Sequence, residues 1–456
     1  MTTAFPIYLL GRASTPGVAE TREFLSRNGV PHQWVDVERD PLLRFVGSAG
    51  EIGEVRFPFV VFGDGSTLEG PERFMRRRFV RATQGESQQT VSPEDQQAYR
   101  ETAMFKHQLA SRVGLPTRPQ HELYDVVILG AGPAGLTAAL YASSEGLRTL
   151  AVEAVAAGGQ AGTSARIENY PGFPQGISGA ELAESTHVQA VRLGAEILIG
   201  VELISAGPAE DGTLALQLTS GDTVRARTGI AATGVQWRRL EAPGVEELIG
   251  AGVYYGSSPS EAPLYRDGDV FVVGGANSAG QAALHLAGFA RKVTLVCRAD
   301  SLDEGMSRYL VERIEADERI DVRTASTVVE ARGEHSLEML IIADKQGEKF
   351  EARADALFVL IGAQPVSAGV EGWLRRDPYG FLMTGPDLFD DGDRGTWWPL
   401  ERDPYLLEAS QPGVFIAGDL RHGSIKRVAS AVGDGAMAIA LVHQYLAAKP
   451  RARPKG

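Results

Sequence analysis

One stretch near the middle of the chain constrains the fold more than any other. Residues 125–129 (Asp-Val-Val-Ile-Leu) read as a buried strand of the parallel type, and they run straight into Gly130-Ala131-Gly132-Pro133-Ala134-Gly135 and an Ala/Leu-rich helix. Each glycine has its own physical reason. The first permits a tight turn, the second lets backbone approach a pyrophosphate, and the third lets helix and strand pack closely. A second strand over residues 147–152 ends at Glu153, about 20 residues on, where an acid can hydrogen-bond a ribose hydroxyl. A complete βαβ unit of this kind predicts dinucleotide binding. Gly130, Gly132, Pro133, Ala134, Gly135 and Glu153 are its candidate contacts.

A second strand–turn–helix begins at residue 269 and carries Gly274-Gly275-Ala276-Asn277-Ser278-Ala279. Gly274, Gly275, Asn277 and Ser278 are candidate contacts to a second nucleotide. Ala276 stands where the middle glycine belongs, and an intruding methyl there costs ~1–3 kcal/mol if the backbone cannot move aside, roughly 5–150-fold in affinity. The unit is therefore either a working nucleotide site or a vestigial one.

Composition narrows the classes. The 456 residues carry a formal charge of −13, which argues against nucleic acid or an anionic membrane as partner. No basic segment followed by a long apolar core opens the chain, and no apolar run approaches the ~20 residues that span a bilayer, so a cytoplasmic protein is expected. The eight histidines show no metal spacing, and no metal is predicted. A single cysteine, Cys297, excludes an intrachain disulfide, because a disulfide forms by attack of one sulfur on another.

The first 80 residues alternate short apolar runs (7–10, 33–37, 59–62) with a helical pattern over 18–28, and Asp64-Gly65 is a hairpin turn signal. With Arg56-Phe57-Pro58-Phe59 and Gly70-Pro71, this stretch resembles a glutaredoxin. The resemblance implies a cis-proline before the third strand. It places that family's Cys-x-x-Cys on Thr15-Pro16-Gly17-Val18, where both cysteines are missing.

From Tyr124 to Leu446 the chain resembles the low-molecular-weight thioredoxin reductases. The resemblance rests on the first glycine motif, Gly158-Gly159-Gln160, Arg166-Ile167-Glu168-Asn169-Tyr170-Pro171-Gly172, Thr233-Gly234, and Val414-Phe415-Ile416-Ala417-Gly418-Asp419 followed by Lys426-Arg427-Val428. It implies FAD as cofactor, with Gly159, Gln160, Asn169, Gly418, Asp419, Lys426 and Val428 joining the contacts above. It also implies NADPH or NADH on the second glycine unit. The family's basic cluster for a 2′-phosphate reads Cys297-Arg298-Ala299 here, with Asp303 where the last Arg belongs; Arg298 survives and Arg308 is a substitute. The family's redox Cys-x-x-Cys falls on Gly256-Ser257-Ser258-Pro259, which has no thiol.

The predicted organisation is α/β throughout: a cysteine-free thioredoxin/glutaredoxin-like domain (1–83) and a linker with a helix at 93–112 (84–120), then two Rossmann-like domains. The FAD-binding domain (121–237 and 359–448) is interrupted by an NAD(P)-binding-like domain (238–358), and a disordered tail (449–456) follows. Ser92 is the predicted cap of the linker helix, and Arg76, Arg77, Arg78 and Arg81 read as a solvated face.

The expected activity passes electrons from NAD(P)H through FAD directly to a small molecule or a partner of thioredoxin fold, from a homodimer as in relatives. No catalytic residue stands out. The alternatives are a flavoenzyme reduced by ferredoxin, substrate or light, and a non-catalytic flavin-binding sensor or scaffold. Cys297 reads as a packing residue and His422 as a structural one. In the insert at residues 387–404, Trp397-Trp398 either covers a substrate channel or packs on the domain.

Overall fold

The computed structural model describes residues 7–12, 17–37, 56–74, 93–164, 167, 169–249, 251–255, 262–334, 336–367, 370, 372–389 and 398–448. Readings that fall on Thr15, Pro16, the arginines at 76–78 and 81, Ser92, residues 256–259, Trp397 and the tail lie outside these residues. The chain divides into two compact units. One comprises Met1–Thr163, Ser178–Val235 and Pro365–Gly456, the other Ser164–Ile177 and Gln236–Gln364.

The first unit opens with β1 (Ile7–Leu10), α1 (Val18–Arg27), β2 (His32–Val35), β3 (Phe59–Val61) and β4 (Thr67–Glu69). They form a four-stranded sheet in the order β2-β1-β3-β4, with β1 and β2 parallel and the other pairs antiparallel. The Phe57-Pro58 peptide bond is cis. The β3–β4 hairpin turns at Asp64-Gly65, where Gly65 takes a φ of 81° and Gly65 N–H donates to Phe62.

Helix α2 (Pro93–Arg112) starts with proline, whose missing N–H costs nothing in a first turn. Ala98, Thr102, Phe105 and Leu109 recur at helical spacing and are buried, which gives it one apolar stripe. It stops at Gly114 (φ 79°), where Leu115 N–H bonds back to Ala110 and Gly114 N–H to Ser111.

The stripe does more than cap a linker. Phe24 and Leu25 of α1, Phe105, Leu109 and Ala110 of α2, and Val126 and Ile128 of the next strand belong to one continuous core. Each fully buried Phe or Leu contributes about 1.5–3 kcal/mol. The N-terminal sheet, this helix and the central sheet thus share a core within the first unit.

The central sheet of this unit contains β5 (Leu123–Leu129), β6 (Thr149–Glu153), β7 (Glu196–Ile199), β8 (Leu203–Pro208), β9 (Leu214–Leu218) and β10 (Thr223–Ala231), with helices α3 (Pro133–Ser144) and α4 (Gly179–Arg192). The order is β7-β6-β5-β10-β9-β8. The first four strands are parallel and the β8–β9–β10 flank antiparallel.

After β11 (Val235–Trp237) the chain forms the second unit. It contains β12 (Val253–Tyr255), β13 (Asp269–Val273), α5 (Asn277–Leu286), β14 (Lys292–Val296), α6 (Arg308–Glu315), β15 (Ile320–Arg323), β16 (Ser326–Arg332), β17 (Met339–Asp344), β18 (Lys349–Arg353) and β19 (Ala356–Val359). A parallel sheet of order β12-β19-β13-β14-β15 carries the helices, and β16-β17-β18 form an antiparallel sheet. Returning through β20 (Ala363–Pro365), the chain adds β21 (Val414–Ile416) beside the C-terminal half of β10 and ends in α7 (Val428–Ala447).

Candidate functional site

The first glycine turn sits between β5 and α3. Gly130 has a φ of 99°, a region that L side chains avoid, and its N–H donates to Val152 at 2.8 Å. A Cβ on Gly135 would lie 1.9 Å from the Gly130 carbonyl oxygen, so only glycine lets α3 sit this close to the turn. Gly132 is the N-cap of α3 with an ordinary φ of −72°, and a Cβ there would meet only the Gly159 Cα, at 3.9 Å. Nothing inside the protein requires Gly132; the space beside it at a helix N-terminus suits an anion. Pro133 opens the helix, and Ala134 packs against the C-terminal motif. A Cβ on Gly418 would lie 3.0 Å from Ala134 Cβ, and one on Gly435 would lie 2.3 Å from the Ala134 carbonyl oxygen.

Glu153 ends β6 and is buried. One carboxylate oxygen accepts from Ala131 N–H at 2.9 Å and the other from Val155 N–H at 2.8 Å. The following turn closes back on the first: Gly158 N–H donates to the Ala131 carbonyl at 2.7 Å, and Gly159 (φ 53°) brings its Cα beside Gly132. Gln160 is exposed, and its carbonyl accepts from the Thr163 hydroxyl. Gly130, Gly132, Pro133, Ala134, Gly135, Glu153, Gly159 and Gln160 are thus brought together. Asn169 is exposed and falls within the second unit.

The C-terminal motif lies against α3. Burial pushes the Asp419 carboxyl up, opposed by nearby Lys426 and reinforced by Asp434. Lys426 Nζ donates to the Asp419 carbonyl at 2.7 Å and to Ser424 Oγ at 2.6 Å, and sits 4.5 Å over the Phe381 ring. Burial is the main cause that lowers its pKa. Gly418 N–H donates to Asp434 of α7, a contact that sequence reasoning missed. Val428 begins α7. His422 pairs through Nδ1 with Asp377 at 2.7 Å, and the other Asp377 oxygen accepts from the amides of Tyr379 and Phe381. Nothing near His422 in the sequence marks Asp377 as its partner, since 45 residues separate the two.

In the second unit Gly274 and Gly275 follow β13, and Ala276 is the N-cap of α5. A Cβ on Gly274 would lie 2.5 Å from the Leu360 carbonyl oxygen. Asn277 Oδ1 accepts from Ser307 N–H at 2.7 Å, tying the turn to α6, and Ser278 is exposed. Arg298 is exposed after β14. Arg308 is exposed and pairs with Asp303 at 3.1 Å and Glu312 at 3.1 Å, acids at i−5 and i+4. Cys297 is 2 % exposed, and burial pushes its thiol up.

Trp398 of the insert is buried. Its ring is buried with Leu388 and Leu400, and Arg402 stacks on it at 5.3 Å. Arg402 also makes a two-pronged pair with the fully buried Glu408, at 2.7 and 2.8 Å. Of the two readings of the insert, Trp398 fits the packed one, buried against Leu388 and Leu400 of the insert itself. Among the described residues there is no metal-type cluster of His, Cys, Asp and Glu, and no helix long and apolar enough to cross a membrane.

Comparison with known proteins gives the frame for these features. The sequence pattern of the family described as pyridine nucleotide-disulphide oxidoreductase matches residues 124–435. The chain belongs to this family. The thioredoxin reductase of Treponema pallidum is 34% identical over 324 residues, which span 71% of this chain and 97% of the relative. A bifunctional thioredoxin reductase/thioredoxin of Mycobacterium leprae is 35% identical over 335 residues, 73% of this chain and 68% of the relative. The solved thioredoxin reductase of Streptococcus pyogenes superposes with a TM-score of 0.62 at 33% identity, over 71% of this chain and 98% of that one. The family's enzymes are flavoprotein oxidoreductases that use FAD and NADPH on Rossmann-like domains.

Proposed function

We propose that this protein is an FAD-dependent NAD(P)H oxidoreductase that works without a redox-active disulfide and hands electrons directly to an external acceptor. The observation that carries the proposal is Cys297. It is the sole cysteine, it is buried, and its thiol is held protonated by burial, so it is neither half of a dithiol nor a ready nucleophile. Two acceptor classes fit: a small molecule such as a quinone or organic disulfide, and a partner of thioredoxin fold.

The residues fit FAD. The open flank of Gly132 at the start of α3 suits the pyrophosphate, and buried Glu153 suits the adenosine ribose. Asp419 suits the ribityl chain, and the α7 N-terminus behind Lys426 and Val428 suits the ring. Bound FAD would take a hydride from NAD(P)H and pass two electrons on. The chain's own part is to hold the dinucleotide on backbone amides, to keep Lys426 on the Asp419 carbonyl, and to fix the partly exposed His422 side chain on Asp377. With Arg308 bound to two acids, Arg298 supports a 2′-phosphate without its help, so little preference for NADPH over NADH is expected.

The N-terminal sheet order and its cis-proline support a thioredoxin/glutaredoxin-like domain that has lost its chemistry. A homodimer through the flavin unit is part of the proposal; Tyr141 of α3, Val188 and Val191 of α4 and Met437 of α7 are large exposed apolar side chains there. The test is anaerobic mixing with NADPH and with NADH while following flavin absorbance. Bleaching followed by reoxidation on adding an acceptor is expected. Failure of both nucleotides to bleach the flavin would favour reduction by ferredoxin, substrate or light.

A further inference from the structure

The N-terminal domain is docked by one end of α1, and that end grips the flavin turn. Arg27, in the last turn of the helix, donates from Nη2 to the Gly159 carbonyl at 2.8 Å. Asn28, the C-cap, donates from Nδ2 to the Val155 carbonyl at 2.9 Å. Both targets lead directly to the dinucleotide cradle. Gly159 lies directly against Gly132 at the start of α3, and the Val155 amide holds a Glu153 oxygen. Ala131, between the two, is held by the other Glu153 oxygen and by Gly158.

The opposite end of α1 carries Gly17 and Val18, the described half of the lost thiol motif. It lies a helix length away, about 15 Å for ten residues. The chain itself fills that end: a Cβ on Gly17 would lie 2.3–2.8 Å from the Phe74 ring, and Val18 is buried. Phe74 in turn packs edge-on against Phe105 of α2. An electron-relay domain would present its thiol end to the flavin. This one presents the inert end of its helix.

We propose that the N-terminal domain is a built-in clamp for the flavin site, with Arg27 and Asn28 as positioning residues. They set the spacing between Gly159 and Gly132 and the aim of Glu153. The proposal rests on the FAD reading above. The domain thus has a use that needs no cysteine, and the described part of the lost thiol motif, Gly17 and Val18, is packed internally.

The test uses the full chain stripped of flavin and titrated with FAD by fluorescence, beside the Tm of the apoprotein. Losing a hydrogen bond from a charged donor predicts about tenfold or more weaker FAD binding for Arg27→Ala. Arg27→Lys should recover part of it, since one N–H can still reach the carbonyl. Asn28→Ala, which leaves Arg27 in place, should weaken FAD several-fold and alter the bound flavin's fluorescence. Arg22→Ala, on the same helix but stacked on Trp34, should leave FAD affinity unchanged. Apoprotein Tm should stay at the wild-type value in Arg22→Ala and fall by no more than about 3–6 °C in Arg27→Ala and Asn28→Ala, with Arg27→Lys in between. Wild-type FAD affinity in both Arg27→Ala and Asn28→Ala overturns the clamp while leaving the flavin reading intact. So does an affinity loss matched by a fall in apoprotein Tm that Arg27→Lys does not reverse. A wild-type protein that binds no FAD overturns both.

Discussion

Two glycines three residues apart are predicted to separate folding from cofactor binding. In Gly135→Ala the new methyl would start 1.9 Å from the Gly130 carbonyl oxygen, a backbone atom at the base of the turn. Helix α3 would have to retreat, and α7 with it, because Gly435 is packed on the Ala134 carbonyl. Overpacking of this severity costs ~3 kcal/mol or more, at the top of the usual range. At roughly 2–4 °C per kcal/mol for a unit of this size, the apoprotein Tm should fall by about 6 °C or more.

In Gly132→Ala the methyl meets only Gly159 Cα at 3.9 Å, and the φ of −72° is open to any residue. The gain from a stiffer unfolded chain, ~0.4–1 kcal/mol, is offset by alanine's poor N-capping, so apoprotein stability should stay within about 1 kcal/mol. The same methyl projects where a pyrophosphate needs the backbone, which predicts ~5–150-fold weaker FAD binding. Thermal unfolding of the apoproteins and FAD titration read the two effects apart. The reasoning is refuted if Gly132→Ala binds FAD like wild type, or if Gly135→Ala unfolds at the wild-type temperature.

Glu408→Ala should destabilise the first unit by ~3–5 kcal/mol, because it strands the partly buried Arg402 guanidinium among Trp398, Tyr405 and Tyr445; urea unfolding reads this directly. Cys297 should resist maleimide at neutral pH in the native protein and react once the chain is unfolded. Its pKa is raised by folding, so the linked stability is complete below the ordinary thiol pKa of about 8.5 and is lost as pH climbs through the raised value; Cys297→Ala should remove that part of the alkaline fall in Tm. Ala276→Gly should tighten both NADH and NADPH by up to the same ~5–150-fold, read as the nucleotide concentration for half-maximal flavin reduction. Arg308→Ala should leave the NADPH:NADH ratio unchanged, as its charge is already spent on Asp303 and Glu312.

What was legible in the sequence was what is encoded locally. The linker helix runs over Pro93–Arg112, as its proline start and apolar spacing dictate, and β13 occupies Asp269–Val273. Strand ends shifted where tertiary bonds decide them. The strand read at 33–37 is His32–Val35, because Gly11 N–H closes on the Val35 carbonyl and Trp34 Nε1 reaches the Gly11 carbonyl, fixing its register on β1. The glycine cradle was legible because each glycine answers to a neighbour within one βαβ unit. The clamp was not: Arg27 and Asn28 look like an ordinary helix end, and their targets lie 132 and 127 residues away. The pairing of Arg308 is the reverse case, since Asp303 and Glu312 are near in sequence but their geometry is invisible there. Trp398 belonged to neither extreme; its burial depends on Leu388 and Leu400 meeting around it.

The measurement that tests the central claim most directly is an anaerobic reductive titration of the FAD-loaded protein, counting electrons taken up per flavin. A flavin with no dithiol behind it is full after two electrons, with no long-wavelength band from a thiolate against the ring and no new thiol released on denaturation. That is the predicted result. Uptake continuing to four electrons per flavin, with thiols appearing, would mean that a disulfide shares the charge, and the account of a direct flavin-to-acceptor enzyme would be wrong.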